Sequence, residues 1–441
     1  MAILDESGGD SNPVVAIENS QIEYGLHMMT RRQSIFGITT QIVAATVAQP
    51  ILPLFAQSSS VRPLLTADYL STIDAIEGEP LPFGASMPPG FVPWQLTAPR
   101  PVALWPQDDK SIDYRHLHAP MVNSVFQLSA ERLRDLFVAN SFPIETQDER
   151  ILFGLRGCSL VGPAPNPKQF AGALALQEDR PDYIEARCVI GVLSLEPLGI
   201  WATSGSTVPG IDRLYEAAKD GRPANLLPTG AHRYRIGVHG GTNASRRAWQ
   251  PGAFLQESPV AVLRAHGNLS YSIPDQKWDV GVGIPHDNIH AAVRDTRAAG
   301  PPYFSSAGCQ TVPGDYNLAR NSPLGAFADL REAAGLRTVL TFTNSAASAT
   351  LDDGRRFLYV LLTGREARLA SQSGDLTALR RLRFGSHGEI VAALRNALAQ
   401  EPGTTFDQQT MAALINAQIA RTGVADAIVT QDFAGHIGMT L

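Results

Sequence analysis

Glycine and proline set the first limit on this fold: 38 and 31 of them are spread through 441 residues. Glycine loses more backbone freedom in a helix than any other residue, and proline lacks the N–H that a helix interior requires. Such spacing favours turns and short strands over a helical bundle. Strands are expected at 234–239, 260–264, 280–284, 338–343 and 357–362. The alternation of Ile184, Ala186, Cys188, Ile190 and Val192 places Cys188 on a buried strand face, as a small hydrophobe.

Helices are expected at a few sites. A short one spans about 66–76, where Leu70, Ile73 and Ile76 recur at helical spacing. Ser129 caps a second, with Leu133, Leu136 and Phe137 on one face before Asn140. Ser322, Pro323 and Gly335 mark the start, first turn and end of a third, whose stripe is Leu324, Phe327 and Leu330. Beyond residue 376 the pattern changes: Ile390, Val391, Leu394 and Leu398 share one helix face. After a turn at 403–407, Met411, Leu414, Ile415 and Ile419 share another. These signals predict a mainly β domain with an inserted helix, followed by a small all-α C-terminal domain.

The length suits two or three domains, and 44% apolar with 18% charged residues is ordinary for a globular protein. The formal charge of −6 contains no block of like charge, so nucleic acid is not an expected partner. Near the N-terminus Arg31-Arg32 precede a stretch from Gln33 to Val61 without any charge. Paired arginines ahead of the apolar run from Ile35 to Ala48 resemble a twin-arginine export signal, and Thr46-Val47-Ala48 offers a small-x-small cleavage site. The expected layout is a leader at 1–48, a Pro-rich linker or wrapping segment at 49–120, a β domain at 121–370 and a helical domain at 376–441. Location in the periplasm or cell envelope follows. With three cysteines, no disulfide framework is expected there.

One of those cysteines lies in a run of small residues, Ser306-Ala307-Gly308-Cys309-Gln310, nineteen positions after His290. A thiol becomes a nucleophile when a base or oriented N–H groups favour its thiolate, and a glycine beside it lets a carbonyl approach the backbone. Cys309 is the candidate nucleophile and His290 the candidate base. Gly308 and Cys309 are the candidate oxyanion donors through their N–H groups. Zinc sites need local patterns such as Cys-x-x-Cys or His-Glu-x-x-His, and neither occurs, so no metal and no cofactor are expected.

The string Asp287-Asn288-Ile289-His290, a polar loop, then Ser306-Ala307-Gly308-Cys309-Gln310 resembles the signature of L,D-transpeptidases. The match is with a branch carrying Asn-Ile-His and Ser-x-Gly-Cys-Gln. Weaker similarity touches Ser206-Thr207-Val208-Pro209-Gly210 and Tyr234-Arg235-Ile236-Gly237-Val238-His239-Gly240-Gly241. The resemblance covers about half the chain, roughly 145–365. It implies a β-sandwich-like domain and an exported cysteine acyltransferase acting on peptidoglycan stem peptides through a Cys309 thioester. It also implies that Ser306 orients His290 through its carbonyl. Asn288 is an additional orienting group, Gln310 a hydrogen-bond partner of the substrate, and His239 either a lining of the donor groove or a bonded core histidine. The tail from Gly385-Ser386-His387-Gly388 through Phe406-Asp407 to Thr410 is similar to the three-helix peptidoglycan-binding domain.

Two positions depart from the commoner pattern of the family. Ala291 stands where a glycine follows the histidine, and Thr311 where an arginine lies two residues past the cysteine. The departure leaves the acyl acceptor open. An amine gives transfer, and water gives an L,D-carboxypeptidase or a wall-protein-releasing hydrolase. A non-catalytic wall-binding protein is the remaining alternative.

Overall fold

Strands whose sequences are apolar almost throughout lie at the centre of the largest sheet. The computed structural model describes residues 105–144, 149–211, 213–214, 217, 224–239, 250–265, 271–273, 277–293, 304, 306–317, 322–338 and 351–441. The expected leader, the helix near 66–76 and nearly all of the strand at 338–343 lie outside the described residues. The chain is mostly β, with one large mixed sheet and a few helices.

That sheet has eight strands, in the order Gln310–Pro313, Ile289–Val293, Gln250–Gln256, Gly230–His239, Arg356–Thr363, Arg150–Arg156, Cys188–Leu195, Leu198–Gly205. Two neighbouring pairs are parallel: Arg356–Thr363 with Arg150–Arg156, and Ile289–Val293 with Gln310–Pro313. Central strands such as Arg-Ile-Leu-Phe-Gly-Leu-Arg are buried on both faces, which explains their nearly continuous hydrophobicity. Alternate residues feed two cores. Leu152, Ile190, Val192, Tyr234 and Phe254 point into one, while Phe153, Leu155, Val189 and Leu193 point into the other.

The two outer strands meet. Ser206, just past Leu198–Gly205, donates to the Thr311 carbonyl at 2.8 Å, and Thr311 returns the bond to Ser206 at 2.8 Å. The sheet is thus joined across its edges at one point. Gly205 is needed there, because a Cβ on it would sit 2.6 Å from the Thr311 carbonyl oxygen.

Most expected helices appear, with one relocated start. Ser129 accepts from the Arg132 N–H and caps Ala130–Ala139. Gly325, not Ser322, precedes the helix Ala326–Ala333. Ser322–Leu324 instead forms a strand paired with Asp315–Asn317, where Pro323 is tolerated because the ribbon has only two strands. The end at Gly335, with φ of 73°, is as expected. The segment 280–284 is not a strand; a short one covers Trp278–Asp279. Cys188 is buried in its strand and accepts from the Thr207 hydroxyl.

Residues 105–120 pack against the sheet domain. Asp113 pairs with the buried Arg156 at 2.9 Å, and Arg156 also donates to the carbonyls of Thr207 (3.0 Å) and Leu227 (2.7 Å). Helices Glu389–Ala397, Gln408–Thr422 and Gln431–His436 follow the sheet in sequence. Their Leu394, Met411, Leu414 and Phe433 share a core cluster with Tyr234, Phe254 and Tyr359 of the sheet. A buried ionic hub joins three segments. Glu366 completes a capping box with Thr363, pairs with His116 at 3.0 Å and accepts from Arg383. Burial alone would raise the Glu366 carboxyl, but Arg383 and His116 outweigh it and hold it well below the usual range.

Glu366→Gln leaves the Arg383 charge buried without its counter-ion. A loss of about 3–5 kcal/mol is expected in urea denaturation at pH 7. A loss under about 1 kcal/mol would mean that the hub does not hold these segments together.

Candidate functional site

The parallel pairing of Ile289–Val293 with Gln310–Pro313 sets the geometry of the site. Its register puts Ile289 opposite Gln310 and His290 opposite Thr311, so Asn288 and Cys309 meet at the entrance to both strands. Gln310 donates to the Asn288 carbonyl at 2.8 Å, and the Asn288 N–H is shared between the His286 carbonyl at 2.8 Å and the Cys309 sulfur at 3.1 Å. The nineteen residues that separate His290 from Cys309 in sequence are bridged in space by this parallel pairing.

His239 arrives from the far end of Gly230–His239. A bulge between Gly237/Ala253 and Val238/Pro251 leaves Gly252 unpaired at φ of 75°, a conformation glycine adopts without strain. Bulges of this kind re-aim the residues beyond them. The His239 ring stacks on that of His290 with centroids 4.0 Å apart and planes 11° apart. Nitrogen atoms of the two rings and the Cys309 sulfur all lie within 4.8 Å of one another, and all three residues are buried. A cluster of that size has the dimensions of a metal site, although the sequence lacks the usual zinc spacings.

A polar frame surrounds the thiol. The Asn288 amide nitrogen lies 3.0 Å from His239 Nδ1, and its amide oxygen accepts from the Gln256 N–H at 2.9 Å. The Gln256 side chain accepts from the Asp287 N–H at 2.9 Å, while Tyr234 donates to the Asp287 carbonyl at 2.6 Å. Asn225 donates from its side chain to Asp287 Oδ1 at 3.2 Å and from its N–H to the Ala307 carbonyl at 2.6 Å. Arg264 in turn donates to the Asn225 amide oxygen and pairs with Asp279 at 3.1 Å.

Of the residues singled out from sequence, Cys309, His290, His239 and Asn288 come together. Ser306, Gly308 and Gln310 build the turn instead. The Ser306 hydroxyl donates to the Cys309 carbonyl at 2.8 Å and accepts from the Gly308 N–H at 3.0 Å. That N–H is therefore engaged and is not an oxyanion donor here. The Ser306 carbonyl accepts from Gly210 at 2.8 Å, and neither nitrogen of His290 bonds to it. His290 Nδ1 instead lies 3.4 Å from the Ala291 carbonyl. Asn288 holds His239, not His290. Fully buried Gln310 donates to the Gly308 carbonyl at 3.0 Å and accepts from Tyr359 at 3.3 Å, so it braces the turn rather than facing outward.

Gly308 has a different use from the one its sequence suggests. A Cβ there would sit 2.2 Å from Asp287 Oδ1 and 2.7 Å from Asn225 Cβ. The missing side chain makes room for the frame, not for a ligand. Thr311 is buried in the edge junction.

Two groups carry displaced proton affinities. Burial lowers His290 to about 4, opposed by its contact with the Ala291 carbonyl, so the ring is neutral near pH 7. Burial pushes Asp287 up to about 7, against the lowering pull of Asn225, Arg264 and Arg156. Asp287 stands inside the quoted motif, yet nothing in the sequence separates it from a solvated loop acid. Asn225, Gln256 and Arg264 carry no sequence signal at all, because their partners are distant along the chain.

Comparison of the chain with protein families, with curated proteins and with solved structures finds no match.

Two outcomes are expected. A carboxyl whose folded affinity is raised binds its proton more tightly when folded, so its contribution is full below the unfolded value and is lost as pH rises through about 7. Asp287→Asn removes that loss. Its thermal stability should exceed that of the parent above pH 7 by roughly 2–4 kcal/mol, with the gap narrowing toward pH 4. A pH-independent gap would assign the effect to packing. Gly308→Ala should cost about 2 kcal/mol through overpacking against Asp287 and Asn225, read by chemical denaturation.

Proposed function

We propose that this chain is an exported cysteine acyltransferase that remodels peptidoglycan stem peptides. One observation carries the reading: a buried thiol, a neutral imidazole and a backbone N–H donor converge at the entrance of two paired strands. The sequence resemblance to L,D-transpeptidases supplies the substrate class. In this reading the sheet domain is the family's β-sandwich-like domain, and the three helices at 389–436 are its wall-binding companion.

Cys309 gives its proton to His290 and attacks the carbonyl of the amide that joins an L-centre to a D-residue in the stem, so that a D-amino acid is the leaving amine. The tetrahedral adduct collapses to a thioester, and the departing amine takes the proton from His290. An amine of a neighbouring stem then attacks the thioester and restores the thiol. The helical segment holds the enzyme on its polymer and raises the local concentration of stems. The Arg31-Arg32 leader delivers the protein to the envelope.

Thr311 in place of the arginine gives water a claim as acceptor, because no cation of that position is present to seat a carboxylate. The first half of the reaction is the same in both cases.

Incubating the mature chain with a carbapenem should add one acyl group that maps to Cys309 by intact mass and peptide mapping. Cys309→Ala should remain folded and take none. On purified peptidoglycan, new 3–3 cross-links mark transfer, and accumulation of tripeptide stems alone marks hydrolysis. Neither product, together with an unmodified Cys309, would leave a wall-binding protein without this chemistry.

A further inference from the structure

The two stacked imidazoles are not equivalent, and the hydrogen bonds around them say which nitrogen of each carries a proton. The Gln256 backbone N–H can only donate, so the Asn288 atom it meets is the amide oxygen. The other Asn288 atom is then the NH2 group, and it donates to His239 Nδ1 at 3.0 Å. A neutral imidazole that accepts at Nδ1 carries its proton at Nε2. In His290 the pattern is reversed. Nδ1 lies 3.4 Å from the Ala291 carbonyl, an acceptor, so Nδ1 carries the proton and the lone pair resides on Nε2. Neither His290 Nε2 nor His239 Nε2 makes a hydrogen bond among the described residues, so the Nε2–H of His239 is a buried donor with room for a new acceptor in a cluster that spans 4.8 Å with the Cys309 sulfur.

We infer that the two histidines divide the work at the thiol: His290 takes its proton, and His239, fixed by Asn288 as a permanent Nε2–H donor, stabilises the Cys309 thiolate. The inference rests on the acyl-transfer reading above and assigns a role within it. Proton and electrons balance with His239 unchanged. The S–H bond breaks, its proton forms a bond to His290 Nε2, and the electron pair stays on sulfur. Attack forms the C–S bond and moves the carbonyl π pair to oxygen. On collapse the C–N bond breaks, and the amine takes the proton back from His290. His239 keeps its proton throughout.

The stacking supports this division. Rings 4.0 Å apart repel strongly if both are cationic, so the pair accommodates one imidazolium at a time. The single thiol proton therefore resides on one ring, and the tautomers assign it to His290, whose Nε2 holds the lone pair. The Asn288 backbone N–H, shared with the His286 carbonyl at 2.8 Å, also reaches the same sulfur at 3.1 Å. Asn288 is thus the positioning residue, with its side chain setting the His239 tautomer and its backbone facing the thiol. The same tautomer disfavours metal binding, because a His239 ring with Nδ1 engaged and Nε2 protonated has no lone pair to offer.

The direct test is the tautomer. Long-range 1H–15N correlation on 15N-histidine-labelled protein should show His239 as Nε2–H at pH 7 and His290 as Nδ1–H. Asn288→Asp, which replaces the NH2 donor by an acceptor, should move the His239 proton to Nδ1. His239 as Nδ1–H in the parent protein would overturn the inference. So would stoichiometric zinc binding that depends on His239.

The functional test compares two variants for alkylation of Cys309 by iodoacetamide and for acylation by a carbapenem at pH 7. His239→Phe keeps a stacked ring but loses the donor, and should slow both roughly 10- to 100-fold. His239→Gln retains an N–H and should recover a substantial part of that loss. Equal rates for His239→Phe and the parent, with both folded by circular dichroism, would sink the division of labour while leaving Cys309 the nucleophile. A parent protein that takes no acyl group would instead sink the acyl-transfer reading, whatever the tautomers are.

Discussion

Two reciprocal backbone hydrogen bonds between Ser206 and Thr311 fix the environment of the thiol. Thr311 is the second residue past Cys309, and Ser206 lies just beyond the strand at the opposite edge of the eight-stranded sheet. Joining those edges holds the start of Gln310–Pro313 from outside, while its parallel partner Ile289–Val293 holds it from within. Hydrogen bonds on both sides of this backbone restrain the side chains at its entrance. The adjoining Gly210 N–H on the Ser306 carbonyl extends the grip to the turn itself. Preorganisation of this kind suits the nucleophile proposed for Cys309, since small displacements of a reacting atom are costly.

The polar frame is the price of that rigidity. Asp287, Asn225, Asn288, Gln256 and Gln310 are all buried within one small region. Burying an amide without a partner costs a few kcal/mol, and a network that satisfies its members fixes a unique arrangement. Here the bonds run from Arg264 through Asn225 to Asp287, and from Gln256 through Asn288 to His239. Asp287 bears the residual strain: its carboxylate is buried beside donors that do not fully compensate, so its proton is retained to near neutral pH. Gly308 allows this carboxyl to press against the turn.

What could be read from the sequence was what depends on near neighbours. The Ser129 cap and the Leu133, Leu136 and Phe137 stripe obey local rules, and so does Gly335 beyond a helix end. The pairing of Cys309 with His290 was legible because a short chemical motif contains both. Ser322-Pro323 misled, since a serine followed by proline is equally suited to a strand in a two-stranded ribbon. The roles of Gly308, Ser306 and Gln310 also escaped. Their partners, Asp287, Gly210 and Tyr359, lie far from them along the chain, and a glycine that makes room for a carboxyl looks the same as one that makes room for a ligand. His239 was visible, but its alignment with His290 depends on a bulge at Gly252, and no local pattern announces that.

In the acyl-transfer reading proposed above, the attachment of the helices at 389–436 to the sheet decides how a bound polymer would be presented. A tethered module raises local concentration through a flexible linker, and its benefit falls as the linker lengthens. Here no such freedom exists among the described residues. Leu382 pairs with Val429, Arg383 reaches Glu366, and the Ser386 hydroxyl donates to the Asn140 carbonyl at 2.7 Å. Trp278 and Gln408 add bonds between sheet and helices, to Ala425 and Val280 respectively. Because Leu394, Met411 and Leu414 belong to the same core cluster as the sheet, detaching the helices would expose apolar surface. A polymer held by these helices would therefore be presented to Cys309 at a fixed distance and angle. Selection of the stem would come from geometry, set by the Glu366 hub, as much as from contacts at the thiol.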